Sequence, residues 1–113
     1  MQMTHPETLE TLIRKTREYG GLVIADEVMT GFGRTGELFA HQHQAELPDI
    51  MCLAKGLTGG TLPLATTVFR SGLFEAFLDD RKERAFLHGH SFTANPIACA
   101  AAQASLKLMK TDE

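Results

Sequence analysis

Apolar and polar positions along this chain fall into blocks whose periodicity changes from helical to strand-like and back. Thr4-His5-Pro6-Glu7 reads as a helix start, with Pro6 near the first helical position and Glu7 and Glu10 in the early turns. Leu9, Leu12 and Ile13 supply one apolar face, Lys15 and Arg17 fall near the end, and Gly20-Gly21 stops the helix. Leu22-Val23-Ile24-Ala25 is then a continuous apolar run bounded by glycines and by Asp26-Glu27, the pattern of a strand buried on both faces. From Thr30 to Gly36, three glycines in seven residues predict an irregular loop leaving the carboxyl end of that strand.

Residues 38–45 are ambiguous. Pro48-Asp49 leads into a second buried strand, Ile50-Met51-Cys52-Leu53-Ala54, ending at Lys55, and a glycine-rich turn follows over residues 56–61. Leu64-Ala65-Thr66-Thr67-Val68-Phe69 is a third strand, and about eight residues separate it from the second. A parallel crossover takes a dozen or more, so these two strands, if adjacent, pair antiparallel. Residues 73–78 form a short helix, 79–84 a solvated charged loop, and Ala85-Phe86-Leu87 a short strand. Asn95 caps a final alanine-rich helix that has Pro96 at its first position and runs to about Met109. The fold class is α/β, mostly parallel with one antiparallel strand.

Composition narrows the function. With 113 residues, 43% hydrophobic and 22% charged, the chain has room for one domain at most, too little for an enzyme with separate cofactor and substrate domains. Its basic residues are scattered and the net charge is −3, so there is no stripe for a nucleic-acid backbone. No apolar run approaches the ~20 residues that span a bilayer, and the first six residues lack a basic region followed by an apolar stretch; a cytoplasmic location is the default expectation. Cys52 and Cys99, far apart in sequence and in apolar surroundings, read as two reduced core thiols.

In open α/β sheets ligands bind beyond the carboxyl ends of the strands, where Asp26 and Lys55 stand, each followed by a glycine-bearing loop. Either alone is often only the point where a strand returns to water. Together they suit pyridoxal phosphate: a lysine amine forms a Schiff base with the cofactor aldehyde, and a carboxylate keeps the pyridine nitrogen protonated. His41 and His43 alternate without a third ligand nearby, a poor case for a metal, and read as solvated or packed histidines. Arg34, on its glycine loop, is either solvated or a site residue.

The run Ile24-Ala25-Asp26-Glu27-Val28-Met29-Thr30-Gly31-Phe32-Gly33-Arg34-Thr35-Gly36 resembles the signature of the class III aminotransferases, pyridoxal-phosphate enzymes of fold type I. Pro48-Asp49-Ile50, Lys55-Gly56-Leu57-Thr58-Gly59-Gly60 and His88-Gly89-His90-Ser91-Phe92 with Asn95-Pro96 follow at that family's spacing, and the likeness runs from about His5 to Leu108. It implies that residues 1–113 are part of the large cofactor-binding domain, that Asp26 partners the pyridine nitrogen, that Val28 lies against one face of the ring and that Lys55 carries the Schiff base. Freed by substrate, the Lys55 amine would move a proton from the substrate α-carbon, the central step of transamination. The family has Thr where this chain has Ser91, and the resemblance gives that hydroxyl to the cofactor phosphate of the opposite subunit of a homodimer, with the helix start at Asn95-Pro96 adding a field that suits an anion. It also places the Arg34 loop beside the active site, in a substrate-orienting or structural role, and puts His88 and His90 near the cofactor without a chemical part.

Residues 57–65 and 77–96 look most like the branch of the family that transfers an amino group from S-adenosylmethionine to 8-amino-7-oxononanoate in biotin synthesis. Ornithine, acetylornithine, 4-aminobutyrate and other ω-amino-acid aminotransferases, or a related aminomutase, are the alternatives. Family members are several-fold longer. The expectation is therefore an internal piece, without the N-terminal segment, a glycine-rich phosphate loop and the small C-terminal domain, and inactive by itself.

Overall fold

The computed structural model describes residues 4–110. Its order is α1 (Pro6–Glu18), β1 (Ile24–Asp26), a 3-10 turn (Ala40–His43), β2 (Ile50–Leu53), a second 3-10 turn (Lys55–Thr58), β3 (Thr66–Phe69), α2 (Ser71–Glu75), a third 3-10 turn (Lys82–Arg84) and α3 (Pro96–Met109). The strands form one sheet in the order β1-β2-β3. β1 and β2 run parallel with Asp26 opposite Cys52, whereas β2 and β3 are antiparallel with Leu53 opposite Thr66, as the short connection between them demands.

The two long helices end where their residues dictate. Pro6 opens α1, and past Tyr19 the chain turns away at Gly20, whose φ of +71° costs a glycine little. Asn95 caps α3 through Oδ1, which accepts from the amides of Ile97 and Ala98, both at 3.1 Å. Ala98 and Ala102, one turn apart on the same face of α3, are buried with Leu53 and Leu57. Their small side chains let α3 approach the Lys55–Thr58 turn closely enough for Ser105 Oγ to donate to the Gly56 carbonyl at 3.3 Å.

Asp49 joins all three strands at the opposite end of the sheet. It is 8% exposed; Oδ2 accepts from the Val23 amide at 2.9 Å, and its own amide donates to the Val23 carbonyl at 2.9 Å. Oδ1 pairs with the Arg70 guanidinium at 3.2 Å, and the Arg70 amide donates to the Asp49 carbonyl at 3.1 Å.

Several sequence expectations shift. β1 starts at Ile24 rather than at residue 22 and takes in Asp26. It is not buried on both faces: Leu22 is 56% and Ile24 61% exposed, because the described helices do not cover that side of a three-stranded sheet. The helix expected at 73–78 begins at Ser71 and ends at Glu75, loosening into turns closed by Phe77 and Leu78 amides. Residues 85–87 form no strand. With no neighbouring edge to pair with, their backbone closes on itself, the Leu87 amide on the Ala85 carbonyl and the His88 amide on that of Phe86, both at 3.0 Å. Cys52 and Cys99 are free but only half-buried.

Removing the Asp49 carboxylate strands the Val23 amide, while the half-exposed Arg70 guanidinium keeps its bond to the Leu47 carbonyl at 3.1 Å. Asp49→Ala is expected to lower unfolding stability by about 2 kcal/mol, as read by urea denaturation. A loss indistinguishable from zero would contradict the three-strand role.

Candidate active site

The last rung between the parallel strands runs from the Glu27 amide to the Cys52 carbonyl at 2.9 Å, and beyond it the two chains diverge. Asp26 and Lys55 therefore leave the same edge of the sheet from adjacent strands. Side chains along residues 22–27 alternate between exposed and covered: Leu22, Ile24 and Asp26 face out, while Val23, Ala25 and Glu27 face in. The outward Asp26 carboxylate accepts from the Val28 amide through Oδ1 at 3.1 Å, which fixes its orientation.

Lys55 is exposed and has φ +49°, in the left-handed region where a non-glycine residue costs about 1–2 kcal/mol. The turn that follows over-determines it. The Leu57 amide reaches the Ala54 carbonyl at 3.1 Å, the Gly60 amide reaches the Lys55 carbonyl at 3.1 Å, and Thr58, 2% exposed, anchors the turn through Oγ1 to the Leu62 carbonyl at 2.6 Å. Among the described residues the Lys55 amine has no hydrogen-bond or ion-pair partner, so it is available to an incoming electrophile.

Two hollows open at this edge. One of about 390 Å³ is lined by Lys55, Gly56, Phe32, Met29 and Arg34; the other, about 670 Å³, lies between α1 and β1 and includes Asp26, Glu27, Arg34 and Thr35. Arg34 borders both, so the structure brings Asp26, Arg34 and Lys55 to one region. Val28 is half-buried beside Asp26 and lines neither hollow. Ser91 lies apart from them, on the exposed segment that precedes α3. The field expected from the start of α3 is largely spoken for, since the Asn95 side chain already takes the Ile97 and Ala98 amides. His90 and Phe92 are occupied with each other, the Phe92 amide meeting His90 Nδ1 at 3.2 Å, and His88 meets Phe86 with the rings tilted by 56° and their centres 5.6 Å apart.

Glu27 was not among the expected site residues, yet it organises the loops. It is 2% exposed. Oε1 accepts from the His41 amide at 2.7 Å and lies 3.2 Å from His41 Nδ1; Oε2 accepts from the Ala40 amide at 2.9 Å and the Thr30 hydroxyl at 2.8 Å. Burial pushes this carboxyl up, but the backbone bonds from His41 and Ala40 and the side chains of Thr30 and His41 outweigh it and hold the group below its ordinary value of 4.5. No alternation in the sequence marked it, because Leu22 to Ala25 is one continuous apolar run; the two-residue period that puts Glu27 on the covered face with Val23 and Ala25 is visible only in the structure. His41 is thus a packed residue, and His43 reaches the Thr35 carbonyl through Nε2 at 3.1 Å, tying down the loop that carries Arg34.

An exposed carboxylate and an unpartnered amine at the carboxyl edge of neighbouring parallel strands fit the ring nitrogen and the aldehyde of pyridoxal phosphate. The model of the class-III aminotransferases matches residues 1–113, and the chain belongs to that family. An adenosylmethionine-8-amino-7-oxononanoate aminotransferase of Synechococcus elongatus is 50% identical over all 113 residues, which are 27% of its length, and that of Geobacter sulfurreducens is 51% identical over 92 residues, 80% of this chain and 20% of the relative. Among solved structures, a Bacillus anthracis aminotransferase superposes over 97% of this chain and 24% of its own with a TM-score of 0.92 at 34% identity. The adenosylmethionine-8-amino-7-oxononanoate aminotransferase of Methanocaldococcus jannaschii superposes over 92% of this chain and 25% of its own, with a TM-score of 0.83 at 40% identity. The chain spans about a quarter of the length of the relatives it matches.

Because the folded Glu27 carboxyl sits below its unfolded value, its contribution to stability is fully present above 4.5 and is lost as the pH falls through the folded value. The stability gap between the unmodified protein and Glu27→Gln should therefore shrink on going from about pH 7 to about pH 3 in denaturant titrations. A gap that stays constant over that range would show that the carboxylate charge is not what the four donors hold.

Proposed function

We propose that this chain is part of the large cofactor-binding domain of a homodimeric, pyridoxal-phosphate-dependent enzyme that transfers an amino group from S-adenosylmethionine to 8-amino-7-oxononanoate, giving 7,8-diaminononanoate for biotin synthesis. The observation that carries the chemistry is the emergence of Asp26 and Lys55 from adjacent parallel strands at one sheet edge. The choice of substrates rests on the relatives from Synechococcus and Geobacter, which bear that enzyme's name at 50% and 51% identity. A cytoplasmic location belongs to the same reading and is supported by the two free thiols.

When bound, the cofactor supplies an aldehyde that captures amines and a protonated ring that draws electrons from the substrate carbon. Asp26 holds a negative charge for the ring nitrogen, its orientation set by the Val28 amide. Val28 supplies an apolar surface against the ring. Lys55 would hold the cofactor through its aldehyde, with water as the leaving group, and its amine, freed by substrate, would carry the proton that leaves the substrate α-carbon. Arg34, bordering both hollows, orients the substrate by its fixed positive charge. The Ser91 hydroxyl, which makes no hydrogen bond among the described residues, serves the phosphate in the partner subunit.

Borohydride reduction of the whole polypeptide with pyridoxal phosphate, followed by peptide mapping, should put the label on Lys55; label on another lysine would refute the assignment. Asp26→Ala should still acquire label at Lys55 while slowing the single-turnover half-reaction at least ~10²-fold. Near-normal rates in that variant would remove Asp26 from its role. The substrates are tested by turnover of 8-amino-7-oxononanoate with S-adenosylmethionine, and robust turnover of ornithine or 4-aminobutyrate with none of that pair would reassign them.

A further inference from the structure

We propose that Glu27 is a positioning residue for Lys55, acting through the rings of Phe39 and Phe32 on the backbone of Gly56. The path begins with the amides that Glu27 holds. By fixing Ala40 and His41 it fixes the start of the Ala40–His43 turn, and with it Phe39, whose own amide is held by Gln42 Oε1 at 2.7 Å. The Phe39 ring lies parallel to that of His41 at 5.9 Å and meets Phe32 edge-on at 5.5 Å. Phe32 in turn lies directly on Gly56, where an added Cβ would stand 2.8 Å from Phe32 Cβ and 2.9 Å from Cδ2, so only glycine admits this approach.

Glu27 also acts through its backbone, because its carbonyl accepts from the Gly31 amide at 3.0 Å and so sets where the Phe32 loop departs. On the other side of Gly56, α3 presents Ser105 to the Gly56 carbonyl. The residue after Lys55 is thus gripped between Phe32 and Ser105. Phe32 and Lys55 both sit in the left-handed region, at φ +62° and +49°. Such conformations persist only where the surroundings over-determine them. Loosening the Glu27 end frees Phe39 and then Phe32, and Lys55 can relax towards negative φ, which redirects its side chain away from the sheet edge.

This inference rests on the reading of Lys55 as the cofactor lysine, and the test separates the two. In the whole polypeptide, Glu27→Gln and Phe32→Leu are compared with Arg70→Ala, which loosens the far end of the sheet and touches nothing on the path. Each protein is mixed with pyridoxal phosphate, reduced with borohydride at short times and peptide-mapped, so that the rate at which Lys55 acquires label is read beside the thermal midpoint. Glu27→Gln and Phe32→Leu should each slow labelling of Lys55 by about tenfold or more and lower kcat rather than raise KM. Arg70→Ala should lower the midpoint yet label at the unmodified rate. Unchanged labelling in both path variants, or equal slowing in Arg70→Ala, would overturn the proposal. Should Glu27→Gln fail to fold, the Phe32→Leu rate decides alone. An unmodified protein that never labels Lys55 would instead remove the cofactor reading beneath it.

Discussion

An ionised carboxylate taken out of water is costly by several kcal/mol unless hydrogen-bond donors replace the water it leaves. Glu27 sits 2% exposed at the end of β1, and its four donors come from Thr30, Ala40 and His41. Those donors lie on the loop after β1 and on the Ala40–His43 turn, whose own backbone bonds are short-range, Gln42 to Phe39 and Gln44 to His41. The demand of one buried charge therefore shapes the chain from residue 28 to residue 43, including the loop that carries Arg34. A turn held by an acceptor with four filled positions has little freedom, and it is this turn that supports Phe39, Phe32 and the approach to Lys55.

The helices were readable because their signals are local. Pro6, the Asn95-Pro96 pair and Gly20 act through φ restriction and capping, which need no knowledge of the rest of the chain. The antiparallel turn into β3 was readable for a similar reason, since chain length alone limits how a connection can cross. Residues 85–87 misled because a short apolar run becomes a strand only if an edge lies beside it, and tertiary context withheld one. The positions of Asp26 and Lys55 at one sheet edge were legible from the ends of the apolar runs that precede them. Glu27 was not, because a continuous apolar run hides its own period, and only the observed alternation of exposure separates the two faces.

The segment that carries Ser91 follows different physics from the sheet edge. Its bonds are short-range, between residues 85 and 95, and Phe86, Leu87 and Phe92 are 67%, 88% and 70% exposed. Phe86 packs against Phe77 at 5.4 Å, yet apolar side chains in that number still form a surface suited to another apolar surface rather than to water.

Asp26 and Glu27 are neighbours with opposite duties, and a strand is what makes this possible. Successive side chains point to opposite faces, so one dipeptide sends its first carboxylate outward and its second inward to the scaffold. A slip of one residue would exchange them, burying Asp26 and exposing the acceptor on which the loops depend. What prevents the slip is at the far end of the sheet, where Asp49 bonds both the amide and the carbonyl of Val23. With Val23 pinned, Asp26 falls opposite Cys52 and the count to Lys55 along β2 is set. The chemistry proposed at one edge of the sheet is thus registered at the other by the two bonds that tie Asp49 to the Val23 backbone.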